Sequence, residues 1–317
     1  MTSFLLRRVL QAIAVVLLVT IIVFILLRLL PGGPARAILG QQATAAQVTA
    51  FNHQQGYDKP IVVQYGHYLV RLLHGDLGYS YKLNQSVTSL LAQRLPKTLV
   101  LTVLATVVAL AVAIPLGLLQ ATRRNKPTDY VVTGLAFVLY AMPIFFLGLI
   151  LIIVFAQTLH WFPSEAPQGN SVSAVLSQGN ALVLPVATLS LITIAAFSRY
   201  ARSATLDNLG EDYVRTARAK GALERRVLAR HVAPNALVPV VTLLGLYVPY
   251  LFGGSLVTEA MFNYPGMGLL FWNAAQTRDY PILLAVALIV AIATVAASLV
   301  VDLIYAVLDP RVRYVPA

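Results

Sequence analysis

The feature that most constrains this chain is a series of apolar segments, each about as long as a lipid bilayer is thick. A helix rises about 1.5 Å per residue, so roughly 20 apolar residues cross about 30 Å of hydrocarbon. Only 11% of the residues are charged, against about 25% in a typical soluble domain, so the chain has too little charge to cover a water-exposed surface. The sequence predicts an all-α membrane protein with six transmembrane helices, at residues 9–27, 98–119, 131–159, 181–197, 236–258 and 282–308.

The distribution of Lys and Arg predicts how these helices are oriented. Cytoplasmic loops of membrane proteins carry an excess of both residues. The loop at 120–130 holds three of them and the loop at 198–235 holds eight, whereas 160–180 has none and 259–281 has only Arg278. Both termini and the 198–235 loop are therefore predicted to be cytoplasmic. The net charge of +11 is then a topology signal, and we expect no nucleic-acid partner.

Three regions follow from this arrangement. Residues 1–30 are predicted to be an uncleaved N-terminal anchor, because the apolar run is longer than the 7–15 residues of a signal-peptide core. Residues 98–317 are predicted to form a core of five spans that includes the 198–235 loop. Between them, residues 31–97 are too long for a bare connector and are predicted to form an extracytoplasmic loop domain. That domain either meets a partner or lines the entrance, or it packs passively on the helices.

Local signals predict the structure of this outer region. Thr44 is a helix N-cap residue, and the helix that it starts is predicted to reach Gln55. A second helix is predicted to start near Pro60 and to end in the turn at 75–78, which is rich in glycine. A short amphipathic segment then leads to Pro96, where we expect the second span to begin.

The 198–235 loop has the pattern of two short helical arms around Gly221, a residue that permits backbone turns unfavourable to others. Tyr213, Ala217 and Gly221 are four residues apart and share one helical face, while Arg226 and Arg230 line another. Such a segment can dock into a groove on a soluble partner. It can equally lie on anionic lipid, and the pattern alone leaves both interpretations open.

Several motifs resemble one known family. Ala217 and Gly221 form an A-x-x-x-G core, followed by Pro234, that is similar to the EAA loop of bacterial ABC-importer permeases, although Arg215-Thr216-Ala217 replaces the E-A-A triplet. Further similar motifs extend over nearly the whole chain: L-L-R-L-L-P-G-G-P (26–34), P-I-V-V-Q-Y (60–65), G-D-L-G (75–78), R-L-P-K-T-L (94–99), D-Y-V-R-T-A-R-A-K-G (212–221), E-A-M-F-N-Y-P-G-M-G (259–268), R-D-Y-P (278–281) and D-P-R-V-R (309–313). Together they resemble the B-type transmembrane subunit of dipeptide, oligopeptide and nickel importers.

This resemblance implies a type I importer fold in the inner membrane of a bacterium or archaeon, with alternating access driven by ATP. The implied partners are a homologous second permease, one or two ATP-binding subunits and an extracytoplasmic solute-binding protein. Residues 211–229 would form the coupling helix that contacts the ATP-binding subunits. The residues implied in that contact are Glu211, Asp212, Tyr213, Arg215, Thr216, Ala217, Arg218, Ala219, Lys220, Gly221, Leu223 and Arg226.

Catalytic motifs are missing from the sequence. It contains no G-x-x-x-x-G-K-S/T phosphate-binding loop, so ATP and Mg²⁺ are expected in the partner subunits. The sequence also lacks the H-E-x-x-H and G-x-S-x-G motifs, so it shows no catalytic residues that would favour a membrane enzyme. The chain has no cysteine, and its five histidines lack ligand-like clustering, so we expect no metal and no cofactor in this chain.

The remaining candidates for function are residues that could line a translocation pathway. Prolines and paired glycines loosen helices, and tyrosines can contact a peptide backbone without carrying charge; the candidates are Tyr140, Met142, Pro143, Tyr247, Tyr250, Gly253, Gly254 and Glu259. Ordinary helix packing is the alternative, and Glu259 can also simply mark the water boundary. An ion-coupled secondary transporter would need ionisable residues near the bilayer midplane and inverted repeats, and we find few of the former and no convincing repeat. The sequence leaves the substrate open among dipeptides, oligopeptides, glutathione and nickel.

Overall fold

The chain is almost entirely helical. A computed structural model describes residues 2–29, 33–40 and 42–308. The helices are α1 (Thr2–Arg28), α2 (Gly33–Leu39), α3 (Ala45–Gln55), α4 (Ile61–Leu73), α5 (Val87–Thr122), α6 (Pro127–Ala141), α7 (Ile144–Leu151, continued by π-helical Ile152–Thr158), α8 (Val172–Leu176), α9 (Gly179–Leu209), α10 (Asp212–Ala219), α11 (Glu224–Val227, continued by π-helical Leu228–Val232), α12 (Ala233–Met261), α13 (Met267–Thr277) and α14 (Tyr280–Leu308). A two-stranded antiparallel hairpin, β1 (Tyr79–Ser80) and β2 (Gln85–Ser86), precedes α5.

The described residues contain six candidate spans if one broken span is counted. α1, α5, α9, α14 and a segment that ends within α12 are each long and apolar enough to cross a membrane, and α6 with α7 forms a sixth. The axes of α6 and α7 are bent by 107° relative to each other. The prediction of one continuous span at 131–159 is therefore wrong in shape. The cause is Pro143, which disfavours helical geometry in the residue before it. Met142 accordingly adopts an extended conformation, with φ −80° and ψ 130°.

Two other helices are longer than predicted. The predicted boundary at Pro96 is wrong, because α5 runs through both Pro96 and Pro115. Its start is fixed at Ser86, whose side chain accepts a hydrogen bond from the backbone N–H of Ser89. α9 likewise continues past Phe197 to Leu209. The apolar run marks the part of a helix that lipid requires, whereas the helix itself ends where its backbone is capped or turned.

Close packing of α5 against α9 forms the centre of the bundle. α5 presents a buried stripe of small residues at every fourth position: Ala105, Ala109, Ala113, Gly117 and Ala121. At Gly117 an added Cβ would lie 2.5 Å from the Cβ of Ala201 and 2.8 Å from the backbone nitrogen of Arg202. Small residues allow such backbone contact, which is the usual basis of helix association in membranes.

The two ends of the bundle carry different short elements, and we call them the α10 end and the α13 end. At the α10 end, the guanidinium of Arg202 on α9 makes two hydrogen bonds of 2.8 Å to the carboxylate of Asp129 on α6. At the α13 end, the hydroxyl of Ser80 donates to Asp279 over 2.5 Å. Burial raises the pKa of Asp279 above its usual range, and the Ser80 hydrogen bond opposes this shift.

The helices predicted between the first two spans are confirmed. Thr44 caps α3 through a capping box, in which its hydroxyl accepts from the backbone N–H of Gln47 and the Gln47 side chain accepts from that of Thr44. α4 ends just before Gly75 and Gly78, both of which have positive φ. The hairpin that follows was not predicted, since strands of two residues leave no periodic pattern. Treating residues 31–97 as a separate domain remains a prediction.

Candidate functional site

The predicted pair of helical arms is confirmed at the α10 end. α10 and α11 are separated by a tight turn in which Gly221 has φ +78°. The backbone N–H of Gly221 donates to the carbonyl of Arg218 over 2.9 Å, and that of Ala222 donates to Ala217 over 3.2 Å. Residues with a Cβ rarely adopt this left-handed geometry, so the turn depends on glycine.

The apolar sides of the two arms face each other. Val214 and Ala217 of α10 pack with Val227 and Val232 in a buried cluster, and Leu209 at the end of α9 packs against it. An ion pair between Arg218 and Glu224 connects the arms on the surface, with a distance of 2.5 Å between Nη2 and Oε1. The arms therefore form one small folded unit that is continuous with α9 on one side and α12 on the other.

An open cleft of about 690 Å³ lies on this unit. It is lined by Tyr213, Thr216, Ala217, Lys220, Gly221, Ala222, Arg226, Arg230 and His231. The three residues predicted to share a face thus border the same cleft. Apart from Gly221 and its two chain neighbours, no heavy atom of the described residues lies within 4 Å of the position that a Gly221 Cβ would occupy, so the space in front of the glycine is open.

The other residues assigned to this loop lie on the two arms and do not line the cleft. Glu211 is the N-cap residue of α10 and Asp212 is its first helical residue, 3.4 Å from Arg215. Leu223 follows the turn with 78% of its surface exposed.

The pathway candidates are not brought together by the structure. Tyr140, Met142 and Pro143 lie at the bend between α6 and α7, and the guanidinium of Arg199 stacks over the Tyr140 ring at 5.4 Å. Tyr247 lies edge-on to Phe197 at 5.1 Å and belongs to a different apolar cluster from Met142. Tyr250, Gly253 and Gly254 belong to α12, but their side chains and surroundings lie outside the described residues. The pathway assignment stays a prediction.

Glu259 is completely buried and does not mark a water boundary. Its Oε1 accepts a hydrogen bond of 2.7 Å from the hydroxyl of Thr98, and its Oε2 accepts from the backbone N–H groups of Gly268 and Leu269 at 2.6 and 3.1 Å. These N–H groups belong to the first turn of α13, where a carboxyl group is favoured by the helix dipole. Added Cβ atoms at Gly266 and Gly268 would lie within 3 Å of Glu259, so both glycines make room for the carboxyl.

Further buried hydrogen bonds extend this site. The Thr98 hydroxyl also accepts from the backbone N–H of Met267 over 2.7 Å, and the phenol of Tyr264 donates to the carbonyl of Lys97 over 2.7 Å. The Lys97 ammonium in turn donates to the carbonyl of Gly169 over 2.6 Å. Sequence reasoning missed this connection between α5, α12 and α13. The available signal was the pair of polar motifs at 94–99 and 259–268, each set among apolar residues.

Comparison with known proteins places these features in a family. The model of the binding-protein-dependent transport system inner membrane component matches residues 113–314, and the model of its N-terminal region matches residues 1–102. The chain is 39% identical to the oligopeptide transport system permease protein AppB of Bacillus subtilis, across 99% of this chain and 100% of AppB. It is 37% identical to the glutathione transport system permease protein GsiC of Salmonella choleraesuis, across 99% and 100%.

A solved structure supports the fold independently. The inward-facing methionine ABC transporter MetNI aligns with a TM-score of 0.53 and 18% identity, covering 67% of this chain and 95% of that chain. Six spans with a two-armed loop thus define a multi-pass ABC-importer permease of type I fold. The chain belongs to the family of binding-protein-dependent transport system inner membrane components, in its peptide and nickel branch. Proteins of this family work with ATPase and solute-binding partners.

Proposed function

We propose that this chain is one of two pore-forming subunits of an importer that moves di- or oligopeptides across the cytoplasmic membrane. The observation that supports this most directly is the open cleft at Gly221, lined also by Lys220 and Arg226, on a chain that matches a permease family over its length. The names of similar proteins favour peptides: one is an oligopeptide permease, several are putative peptide permeases, and one carries glutathione, which is itself a tripeptide.

In this proposal the chain works in a larger assembly. A homologous permease completes the pore, one or two ATP-binding subunits bind ATP and Mg²⁺, and a solute-binding protein delivers the peptide. The chain itself is non-catalytic and binds no cofactor. Both termini and the two arms face the cytoplasm, as the eight basic residues of the 198–235 loop favour.

Residues 211–229 transmit the motion of the ATP-binding subunits. The arms share a buried cluster that includes Val214 and Val227, so a force on the cleft moves them together. α10 continues from α9, and the π-helical segment after α11 leads directly into α12. Because α9 packs closely on α5 at Gly117, movement of the arms would rock the central helices between inward- and outward-facing states.

The coupling role can be tested by placing a large side chain in front of the cleft. We expect Gly221→Arg to lower ATP-dependent uptake of a radiolabelled dipeptide by the reconstituted importer at least tenfold, with normal amounts of the permease in the membrane. A tenfold loss corresponds to about 1.4 kcal/mol of lost interaction. Co-purification of the ATP-binding subunits should fall in parallel.

The matched control is Gly210→Arg in the same loop. Gly210 has φ −82° and its added Cβ would make only an ordinary contact of 3.5 Å, so we expect uptake close to that of the unmodified importer. The variant Gly221→Asn distinguishes backbone strain at residue 221 from obstruction of the cleft by a large side chain, because asparagine tolerates positive φ. Normal uptake by Gly221→Arg would contradict the coupling assignment. Uptake of Ni²⁺ without uptake of any peptide would contradict the proposed peptide substrate and leave the coupling role intact.

A further inference from the structure

A second polar site lies at the α13 end, between the end of α1 and the start of α14. A cavity of about 230 Å³ is bordered by Arg28 of α1, by Tyr68 and Arg71 of α4 and by Tyr280 of α14. An adjoining cavity of about 330 Å³ shares both arginines with it. Nothing in the proposed transport mechanism uses this site.

Two phenols at this site have unfilled hydrogen-bonding capacity. The oxygens of Tyr68 and Tyr280 are inaccessible to solvent and have no hydrogen-bond partner within the part of the chain that the structure describes. The two residues are only 5% and 4% exposed. A buried hydroxyl without a partner is destabilising. Both phenols border the same cavity as Arg28 and Arg71.

The charge of the site favours an anion. The guanidinium of Arg28 stacks between the rings of Phe24 and Tyr57, at 4.7 and 4.6 Å from their centres, and it also makes a hydrogen bond with Tyr57. A guanidinium has five N–H donors, so further donors remain to bind a ligand. Among the described residues, no carboxylate forms an ion pair with Arg28 or Arg71. Asp76 also borders the cavity, but its carboxylate already accepts the backbone N–H of Gly78 over 2.8 Å.

The neighbouring tyrosines do not neutralise these arginines. Burial raises the pKa of Tyr57 above its ordinary value and that of Tyr68 to about 12. Both phenols therefore remain protonated at physiological pH and carry no negative charge. With two guanidinium groups and one carboxylate bordering the cavity, the formal charge of its lining is +1.

An apolar crevice of about 430 Å³, lined by residues of α1, α12, α13 and α14, lies next to this boundary. On α14, Leu284 borders the polar cavity and Val286 already borders the crevice, which extends to Thr294. Ten residues of helix from Leu284 to Thr294 span about 15 Å, which is half of the roughly 30 Å hydrocarbon core and thus the depth of one leaflet. The hydroxyl of Thr294 is satisfied within α14 by the carbonyl of Val290, so the crevice offers an apolar wall.

We infer that this boundary is a binding site for one anionic phospholipid, whose phosphate lies between Arg28 and Arg71 and whose acyl chain occupies the crevice. A cationic headgroup pocket directly above an apolar crevice of leaflet depth matches the two parts of such a lipid. On the cytoplasmic side of membranes, basic pockets between transmembrane helices bind anionic lipid headgroups, and the same pairing of charges applies to a pocket at this end. With the N-terminus in the cytoplasm, the lipid belongs to the outer leaflet.

Lipid titration of the delipidated importer tests the headgroup site. Native mass spectrometry would measure binding of phosphatidylglycerol and, as the zwitterionic comparison, phosphatidylcholine. We expect Arg28→Gln with Arg71→Gln to weaken phosphatidylglycerol binding at least tenfold and to leave phosphatidylcholine binding unchanged. The control is Arg36→Gln with Arg123→Gln, which removes the same charge from exposed positions outside the cavity. Equal phosphatidylglycerol binding by both double variants would overturn the assignment.

Filling the crevice tests the acyl-chain site. Ala287→Phe places a ring in the crevice, and we expect it to weaken phosphatidylglycerol binding about tenfold. Val107→Phe is the control, because Val107 is 59% exposed on α5. If 10 mM inorganic phosphate displaced the lipid and Ala287→Phe had no effect, the ligand of this site would be a free anion and not a lipid. Loss of the second permease from Ala287→Phe complexes, with lipid binding unchanged, would assign the crevice to the protein partner.

Discussion

Two glutamates at opposite ends of the molecule show how differently its ends are built. Glu259 at the α13 end is fully buried and accepts hydrogen bonds from Thr98 and from the first turn of α13. Glu224 at the α10 end pairs with Arg218, and 63% of its side chain is exposed. The first belongs to a network that joins three helices, whereas the second connects two neighbouring arms on the surface.

This difference separates a fixed region from an accessible one. Buried polar groups are costly to leave unpaired, so the hydrogen bonds around Glu259 hold α5, α12 and α13 in one arrangement. The arms of the α10 end are held by a few apolar contacts, including those of Val214 and Val227, and keep an open cleft. In the proposed function, the cleft of the α10 end is the part that contacts the ATP-binding subunits.

The largest expected effect comes from removing the buried carboxyl. Glu259→Ala leaves three buried donors without an acceptor, and each costs about 1–3 kcal/mol, so we expect a loss of about 3 kcal/mol or more. Glu224→Ala removes an exposed ion pair that contributes at most about 1 kcal/mol. The midpoints of thermal unfolding of the two variants in detergent would measure the contrast. Equal shifts would refute the distinction between the two ends.

A smaller effect is expected from Thr98→Val, which keeps the shape of the side chain. The substitution removes both the donor to Glu259 and the acceptor of the Met267 N–H, and we expect a loss of about 1–3 kcal/mol. Thr122→Val is the control, because the Thr122 hydroxyl is exposed and bonds only to carbonyls of its own helix. The same unfolding assay applies, and an unchanged midpoint for Thr98→Val would mean that water replaces the lost hydroxyl.

Sequence patterns predicted what depends on composition and on local geometry. The spans follow from uninterrupted apolar runs, the Thr44 cap from a hydrogen bond that closes over three residues, and the turn between the arms from the conformational freedom of Gly221. The hydrogen bond between Thr98 and Glu259 joins residues 161 positions apart. No periodic signal in either motif indicates that contact, and only the folded arrangement of α5 and α12 creates it.

The bend at Pro143 is a second feature that sequence patterns alone do not predict. Pro96, Pro115 and Pro185 all lie inside continuous helices, yet Pro143 separates α6 from α7. Each proline removes one backbone donor, and in a membrane neighbouring helices can compensate for that loss. Which proline breaks its helix therefore depends on packing around it. At Met142, the side chain packs against a cluster whose buried residues come mainly from α5, α7 and α9, which stabilises the bent form.

The smallest expected effect compares two buried phenols at the α13 end. Tyr264→Phe removes a hydrogen bond to the carbonyl of Lys97 and should cost about 1 kcal/mol. Tyr280→Phe removes a hydroxyl that has no partner in the described chain, so in lipid-free detergent the unfolding midpoint should stay unchanged or rise. With phosphatidylglycerol added, the unmodified protein should gain more stability than Tyr280→Phe, since only a bound headgroup supplies that hydroxyl with a partner. An equal gain in both would show that the lipid phosphate does not reach Tyr280, and it would confine the headgroup to the two arginines.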